Sequence, residues 1–289
     1  MSTAVNESKT LIKIEFFVEG IVDRRRVPRN FYIELSDLLI EFGAIYNPEF
    51  HYSALIQAFI ELLLDMEEYL ASRKRLIKRL SEIPFLDIQG DFKKHNHRHK
   101  RQLSNHRYSE LQNTQQLVER MENVIDQYSR ILVVRVDLAY PLKHQGQVGI
   151  QEFNDDMSEL RKKIHDRDTI FKGLIEYAWA LEQGEKKGYH CHLLLVYKGY
   201  QRRKAYGIAQ QVGKLWRKIT NGLGCDFNCH DAEYLKQFSD RNTLGIGMIH
   251  RRNQDEVNNM LNTVKYLVRP EKDNQYLRVK CKKRMRTFG

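Results

Sequence analysis

His190 and His192 stand two apart in Gly188-Tyr189-His190-Cys191-His192-Leu193-Leu194-Leu195-Val196-Tyr197, an apolar stretch that reads as a strand. Residues two apart on a strand project from the same face, and neutral imidazole is the commonest metal-ligating side chain. Leu174 to Glu182 reads as the preceding strand, with Gln183-Gly184-Glu185-Lys186-Lys187-Gly188 as a hairpin loop. Glu182 is the carboxylate that such a hairpin brings back toward the pair, provided the register lets it face the same way. Glu185 sits in the loop and is the weaker ligand. On these residues alone two readings stand level: metal ligands, or two satisfied polar side chains on the open face of a sheet. The spacing by itself is not diagnostic. His95, His97 and His99 repeat it in a basic stretch from Lys93 to Arg101 that reads as a loop or an exposed helix end, solvated or contacting phosphate.

Tyr266 is the second group of interest. Val257, Met260, Leu261, Val264, Leu267 and Val268 form one apolar stripe at helical spacing. At about 100° per residue, Tyr266 falls almost opposite its centre, so the core face is already filled and the phenol is presented outward. Asn259, Asn262 and Arg269 share its side of the helix, and Arg269 is close enough to contact the same group. A phenol is a poor nucleophile at neutral pH and gains force only where the group it attacks has its charge neutralised.

Other motifs carry less. Cys225-Asp226-Phe227-Asn228-Cys229-His230 has no second ligand pair at finger spacing. Gly245-Ile246-Gly247 lacks the third glycine of a dinucleotide fingerprint, and there is no Gly-Lys-Ser/Thr phosphate loop. Asp137 ends a strand and has two readings, a place near a metal or, the favoured one, a strand-end hydrogen-bond acceptor.

The elements that position these groups change character along the chain. Residues 53 to 80 carry apolar side chains near a 3.6-residue period, and Pro84 ends that segment. A further helix is expected over about 108 to 128. At Ile131 the texture turns β-branched: Ile131 to Leu138 has strand length and composition. A charged helix over 152 to 170, the hairpin, a helix over 203 to 220 ended by Asn221-Gly222, a strand over Leu244 to His250 and a helix over 255 to 269 follow. That order predicts an α+β domain with a mostly antiparallel sheet and helices against one face. A mainly helical region, 1–127, precedes a domain over 128–289.

Lys plus Arg number 48 against 37 Asp plus Glu in 289 residues, a formal charge of +11, which favours a polyanionic partner. No apolar run is long enough to span a bilayer, and the N-terminal residues show no secretory pattern. Four cysteines do not form a disulfide framework in a chain of this length. A cytoplasmic protein is expected.

A strand with His-hydrophobic-His followed by a helix with Tyr-x-x-Lys or Arg resembles the HUH endonucleases. The words Val134-Arg135-Val136-Asp137-Leu138, Glu182 through His192-Leu193-Leu194-Leu195, Tyr266-Leu267-Val268-Arg269 and Arg286-Thr287-Phe288-Gly289 resemble one branch. That branch is the inovirus gene II protein-like replication initiators, which include the YagK/YfjJ C-terminal domain. The resemblance covers about residues 128 to 289.

It implies a five-stranded antiparallel HUH nuclease sheet of RRM-like or ferredoxin-like topology with flanking helices. It implies that His190, His192 and Glu182 hold Mg²⁺ or Mn²⁺, and that Tyr266 attacks a DNA phosphate with Arg269 stabilising its charge. The expected activity is site-specific single-strand nicking and joining through a 5′-phosphotyrosine, initiating rolling-circle replication of a phage, plasmid or satellite element. The expected partners are single-stranded or origin DNA and a host replication helicase. Lys280, Lys282, Lys283 and Arg284 of the basic tail, with the segments at 72 to 79 and 93 to 101, are expected to touch DNA phosphates. The alternatives are a non-catalytic prophage-derived DNA-binding regulator, or a relaxase or transposase of the same superfamily. Arg269 stands where the family usually has lysine, and Asn262 stands where some initiators carry a second tyrosine.

Overall fold

The computed structural model describes residues 5–167, 169–267 and 274–289. In chain order these form α1 (Glu7–Val22), α2 (Phe31–Gly43), β1 (His51–Tyr52), α3 (Ala54–Asp65), α4 (Arg73–Ser81), α5 (Phe85–Gln127), β2 (Arg130–Ala139) and α6 (Ile150–Asp166). They continue with β3 (Leu174–Gly184), β4 (Gly188–Lys198), α7 (Ala205–Ile219), β5 (Cys225–Asn228), α8 (Ala232–Ser239), β6 (Gly247–His250), α9 (Gln254–Leu267) and β7 (Val279–Lys280). The described chain divides into two compact units. One holds Met1–His106, Gln145–Gln151 and Leu277–Met285; the other holds Arg107–His144, Glu152–Tyr276 and Arg286–Gly289.

The first unit is helical, as the apolar spacing predicts. Asn6 caps α1 by accepting from the Lys9 N–H at 3.0 Å, and Leu11, Ile14, Val18 and Ile21 give that helix one buried stripe. Its core is aromatic, with Phe42, Phe59 and Phe92 in successive ring contact. β1 and β7 pair antiparallel, His51 opposite Lys280. Beside that pair the buried Arg278 guanidinium meets the Glu15 carboxylate of α1 at 2.6 Å.

Two expectations change here. The single helix read over 53 to 80 is two, α3 and α4, separated by a 3-10 turn at Glu67–Tyr69. The apolar spacing lapses between Leu70 and Leu76, where no buried side chain holds a helix to the core. The stretch 93 to 101, expected as a loop or an exposed helix end, lies in the interior of α5. Its inward stripe runs Ile88, Phe92, His95, His99, Gln102, at helical spacing but half polar. His95 meets Glu61 at 3.1 Å, the buried His99 meets Glu19 at 3.0 Å, and Gln102 accepts the Ala54 N–H at 2.8 Å.

The second unit is built on a five-stranded antiparallel sheet. β3 pairs β4, β4 pairs β2, and the other edge of β2 is shared: its first residues pair β6 and its last pair β5. β2 is buried almost throughout, as a central strand covered on both faces must be. Helices therefore cover both faces rather than the one expected. Ile131, Val133, Leu194 and Val196 pack with Met121 and Val124 of α5 and Met260 and Val264 of α9. The opposite face carries Tyr189, whose ring stacks on Phe153 of α6 at 5.6 Å, while Trp216 of α7 donates to the Ala139 carbonyl. The outer edge of β3 is covered by Thr287–Gly289, which exchange backbone hydrogen bonds with Trp179 and Leu181. An edge paired in this way no longer offers itself to another chain.

The hairpin is tighter than expected. β3 runs on to Gly184 and β4 begins at Gly188, leaving Glu185-Lys186-Lys187 as the loop. Gly188 has φ +62°, the left-handed position that closes a three-residue hairpin and that glycine adopts without strain.

Candidate functional site

Register decides which side chains meet. Directly opposed residues of an antiparallel pair share a face. Glu182 opposes His190 across β3 and β4, and Asp137 opposes His192 across β4 and β2. The two histidines are two apart on β4, so all four side chains share one face. Arg135, two before Asp137, joins them. This is the face covered by α5 and α9 at its other end, and the polar group begins where the aliphatic packing stops.

The three residues read as ligands are brought together. Glu182, His190 and His192 are 9%, 2% and 4% exposed. Glu182 Oε2 lies 3.2 Å from His190 Nε2 and 3.3 Å from His192 Nε2. Each Nδ1 is used elsewhere: His190 Nδ1–H donates to the Gly188 carbonyl at 3.0 Å and His192 Nδ1–H to Asp137 Oδ1 at 2.7 Å. Those bonds set the tautomer and leave both Nε2 lone pairs aimed at a carboxylate oxygen. Three acceptors converging in a buried site are suited to a cation. Two imidazoles and a carboxylate, with outer partners fixing the rings, fit a divalent ion. Among the described residues this is the cluster with metal-ligand geometry. The Cys225 to His230 segment makes none; its first residues form β5, and His230 accepts the Arg135 backbone N–H at 3.1 Å. Burial pushes His230 down to about 4 and keeps it neutral for that bond.

Asp137 does more than end a strand. Burial works against its charge, but the hydrogen bond from His192 and the Arg135 guanidinium hold its carboxyl well below the usual range. Arg135 Nε lies 3.2 Å from Asp137 Oδ1, and Lys187 Nζ 3.8 Å from Oδ2. Sequence reading missed Arg135. Its signal was a lone guanidinium inside an apolar strand with a carboxylate two residues on. Buried as it is, it stays charged: desolvation opposes the cation and Asp137 more than compensates.

Tyr266 is 44% exposed on α9, while Val257, Met260, Val264 and Leu267 are buried, so the phenol is presented outward as the spacing predicts. The Arg135 guanidinium lies 5.9 Å from its ring centre. Tyr266, both histidines, Asp137, Arg135 and Lys187 border one cleft of about 460 Å³. Arg269 lies outside the described residues, as does the end of the helix expected to run to 269. Cys191 points to the opposite face, buried, its thiol pushed up by desolvation. Lys280, Lys282, Lys283 and Arg284 lie in the helical unit. The last three are exposed, whereas Lys280 is half-buried and its amine is pushed down by desolvation.

An antiparallel sheet with a buried His-His-Glu cluster, whose two histidines share a cleft with an outward tyrosine, defines an α+β protein with a candidate metal centre. Residues 92–289 match the family model described as YagK/YfjJ C-terminal domain, and the chain belongs to that family. No curated protein and no solved structure matches the chain. No helix among the described residues is long and apolar enough to cross a membrane.

Proposed function

We propose that the chain is a nickase and joiner of single-stranded DNA of the HUH type, with the sheet topology and replication-initiating role of the inovirus gene II-like proteins. The observation that carries this reading is the shared cleft: a tyrosine and both histidines of a buried two-histidine, one-carboxylate cluster border the same space. His190, His192 and Glu182 would hold the ion. Imidazole ligands favour Mn²⁺ over Mg²⁺ within the pair expected. When bound, a divalent cation neutralises charge on a phosphate oxygen.

The chain's own residues supply the rest. Tyr266 Oη forms a bond to phosphorus as the bond to the 3′ oxygen breaks, and the phenol's proton ends on that oxygen. The products are a 5′-phosphotyrosine and a free 3′-hydroxyl. One phosphodiester replaces another, so no nucleotide hydrolysis is required, and attack by a 3′-hydroxyl restores the strand. Arg135 and Lys187 place positive charge on the cleft and Asp137 holds His192 in its ligating tautomer. Arg269 is proposed to share the phosphate charge. Domain roles follow the same reading, with residues 128–289 as nuclease and 1–127 as a DNA- or partner-binding region.

The test is transfer of label from single-stranded origin DNA to protein in Mn²⁺, resolved under denaturing conditions. Label transfer by wild type and none by Tyr266→Phe supports nicking. Sequence-specific binding without transfer by wild type supports a non-catalytic regulator instead.

A further inference from the structure

A second cavity, about 340 Å³, lies beside the cleft and shares Arg135, Tyr234 and Tyr266 with it. We propose that it receives one nucleobase of the strand whose phosphate lies at Tyr266, and that Asn262 reads that base's edge. The proposal rests on the nicking reading for the phosphate's position and adds what selects the strand.

The cavity is built by α8, the segment after it, and α9. Tyr234 and Phe238 stand edge to face at 5.0 Å and, with Leu244 and Ile246, make apolar walls. The segment between the helices is pinned. Thr243 N–H donates to the Phe238 carbonyl at 2.9 Å, and Asn259 Nδ2 donates to the Asn242 carbonyl at 2.9 Å. Gly245 lies so close to α9 that a Cβ there would overlap the Asn259 carbonyl and the Thr263 hydroxyl. The walls are thus held apart by backbone contacts, and the volume is that of a small-molecule pocket.

Its chemistry selects the occupant. Aromatic and aliphatic walls suit a flat ring, since every base has a face that stacks. Asn262, exposed one turn before Tyr266, carries an amide with both donor and acceptor, the pairing needed to read a base edge. Among the described residues no carboxylate lines the cavity and Arg135 does, which favours a phosphate at the shared wall. A planar group joined to a phosphate through a sugar satisfies both spaces at once.

The test uses full-length protein without metal, so that it does not depend on cleavage. Fluorescent oligothymidylate, oligodeoxyadenylate and oligodeoxycytidylate are titrated against wild type, Leu244→Trp, which fills the cavity, and Asn262→Ala. An oligothymidylate carrying 4-thiothymidine is photocrosslinked and the attached peptide mapped. Crosslinks are expected at Tyr234, Phe238 or Tyr266. Leu244→Trp should weaken all three strands by roughly tenfold to a hundredfold, and Asn262→Ala should narrow the spread among them. Asn262 is an exposed helix position, so this variant decides the matter if Leu244→Trp misfolds. Crosslinks confined to other residues, or an unchanged spread in Asn262→Ala, overturn the proposal. Cavity crosslinks together with no Tyr266 adduct in the Mn²⁺ label-transfer assay would leave the base pocket standing and remove nicking; an adduct in that assay without cavity crosslinks would do the reverse.

Discussion

At the residue scale, the account turns on how His190 and His192 are held. His192 owes its tautomer to Asp137, so Asp137→Asn, able to present an N–H where an acceptor is needed, should lower Mn²⁺ affinity by about tenfold to a hundredfold; it also takes the counter-charge from the buried Arg135, so stability should fall with it. Calorimetric titration of metal into the variant measures this; wild-type affinity would show that Asp137 does not orient the ring. His190→Ala and His192→Ala should abolish metal-dependent cleavage yet retain non-specific DNA binding, which depends on distributed cations. Electrophoretic mobility shift and cleavage assays on the same preparations separate the two effects. A third residue-scale expectation concerns acid. His230 is neutral in the fold, with its value pushed down to about 4 by burial. Between the unperturbed value near 6.5 and about 4, the unfolded chain binds the extra proton, so stability falls as pH falls through that window. The full effect is about 3 kcal/mol. His230→Gln keeps a side-chain acceptor but does not titrate, so its urea-unfolding free energy should depend less steeply on pH across that window; equal slopes would contradict the assignment.

Elements decide how much of this was legible beforehand. The period of two in β4 placed both histidines on one face without any structure, and the period of α9 turned Tyr266 outward, because each rule is a property of one element. Glu182 was nameable but not orientable, since its facing depends on a three-residue loop closed by Gly188. Arg135 and Asp137 were the harder case: their meaning lies in the β2–β4 register, a pairing between segments more than fifty residues apart. β5 escaped notice because Cys225-Asp226-Phe227-Asn228 is short and only half covered. In α5 the inward stripe substitutes histidine and glutamine for aliphatics, so apolar periodicity vanished while helical packing did not. The ion pair of Arg278 with Glu15 was equally hidden, and it carries a prediction. Arg278→Ala breaks the buried pair with Glu15, which costs about 3–5 kcal/mol. Thermal unfolding should show the destabilisation; a change under about 1 kcal/mol would mean that water reaches Glu15.

Across the whole molecule, the excess of 11 positive charges favours a polyanion but does not say where it binds. The salt dependence of binding locates the charges that meet it. Neutralising Lys282, Lys283 and Arg284 should flatten the slope of log affinity against log salt by roughly 0.7 for each single-strand phosphate left without its cation, while Lys280, half-buried, should contribute less. An unchanged slope in the triple variant would show that these side chains do not touch DNA. Covalent attachment is a narrower property than binding, and one measurement reads it. Wild-type protein is incubated with single-stranded origin DNA and Mn²⁺, the covalent product is digested, and the nucleotide-bearing peptide is sequenced by mass spectrometry. Attachment is expected at Tyr266, with no adduct formed by a stably folded Tyr266→Phe. Attachment at Tyr234, Tyr276 or any other hydroxyl, or an adduct that persists in Tyr266→Phe, would contradict it.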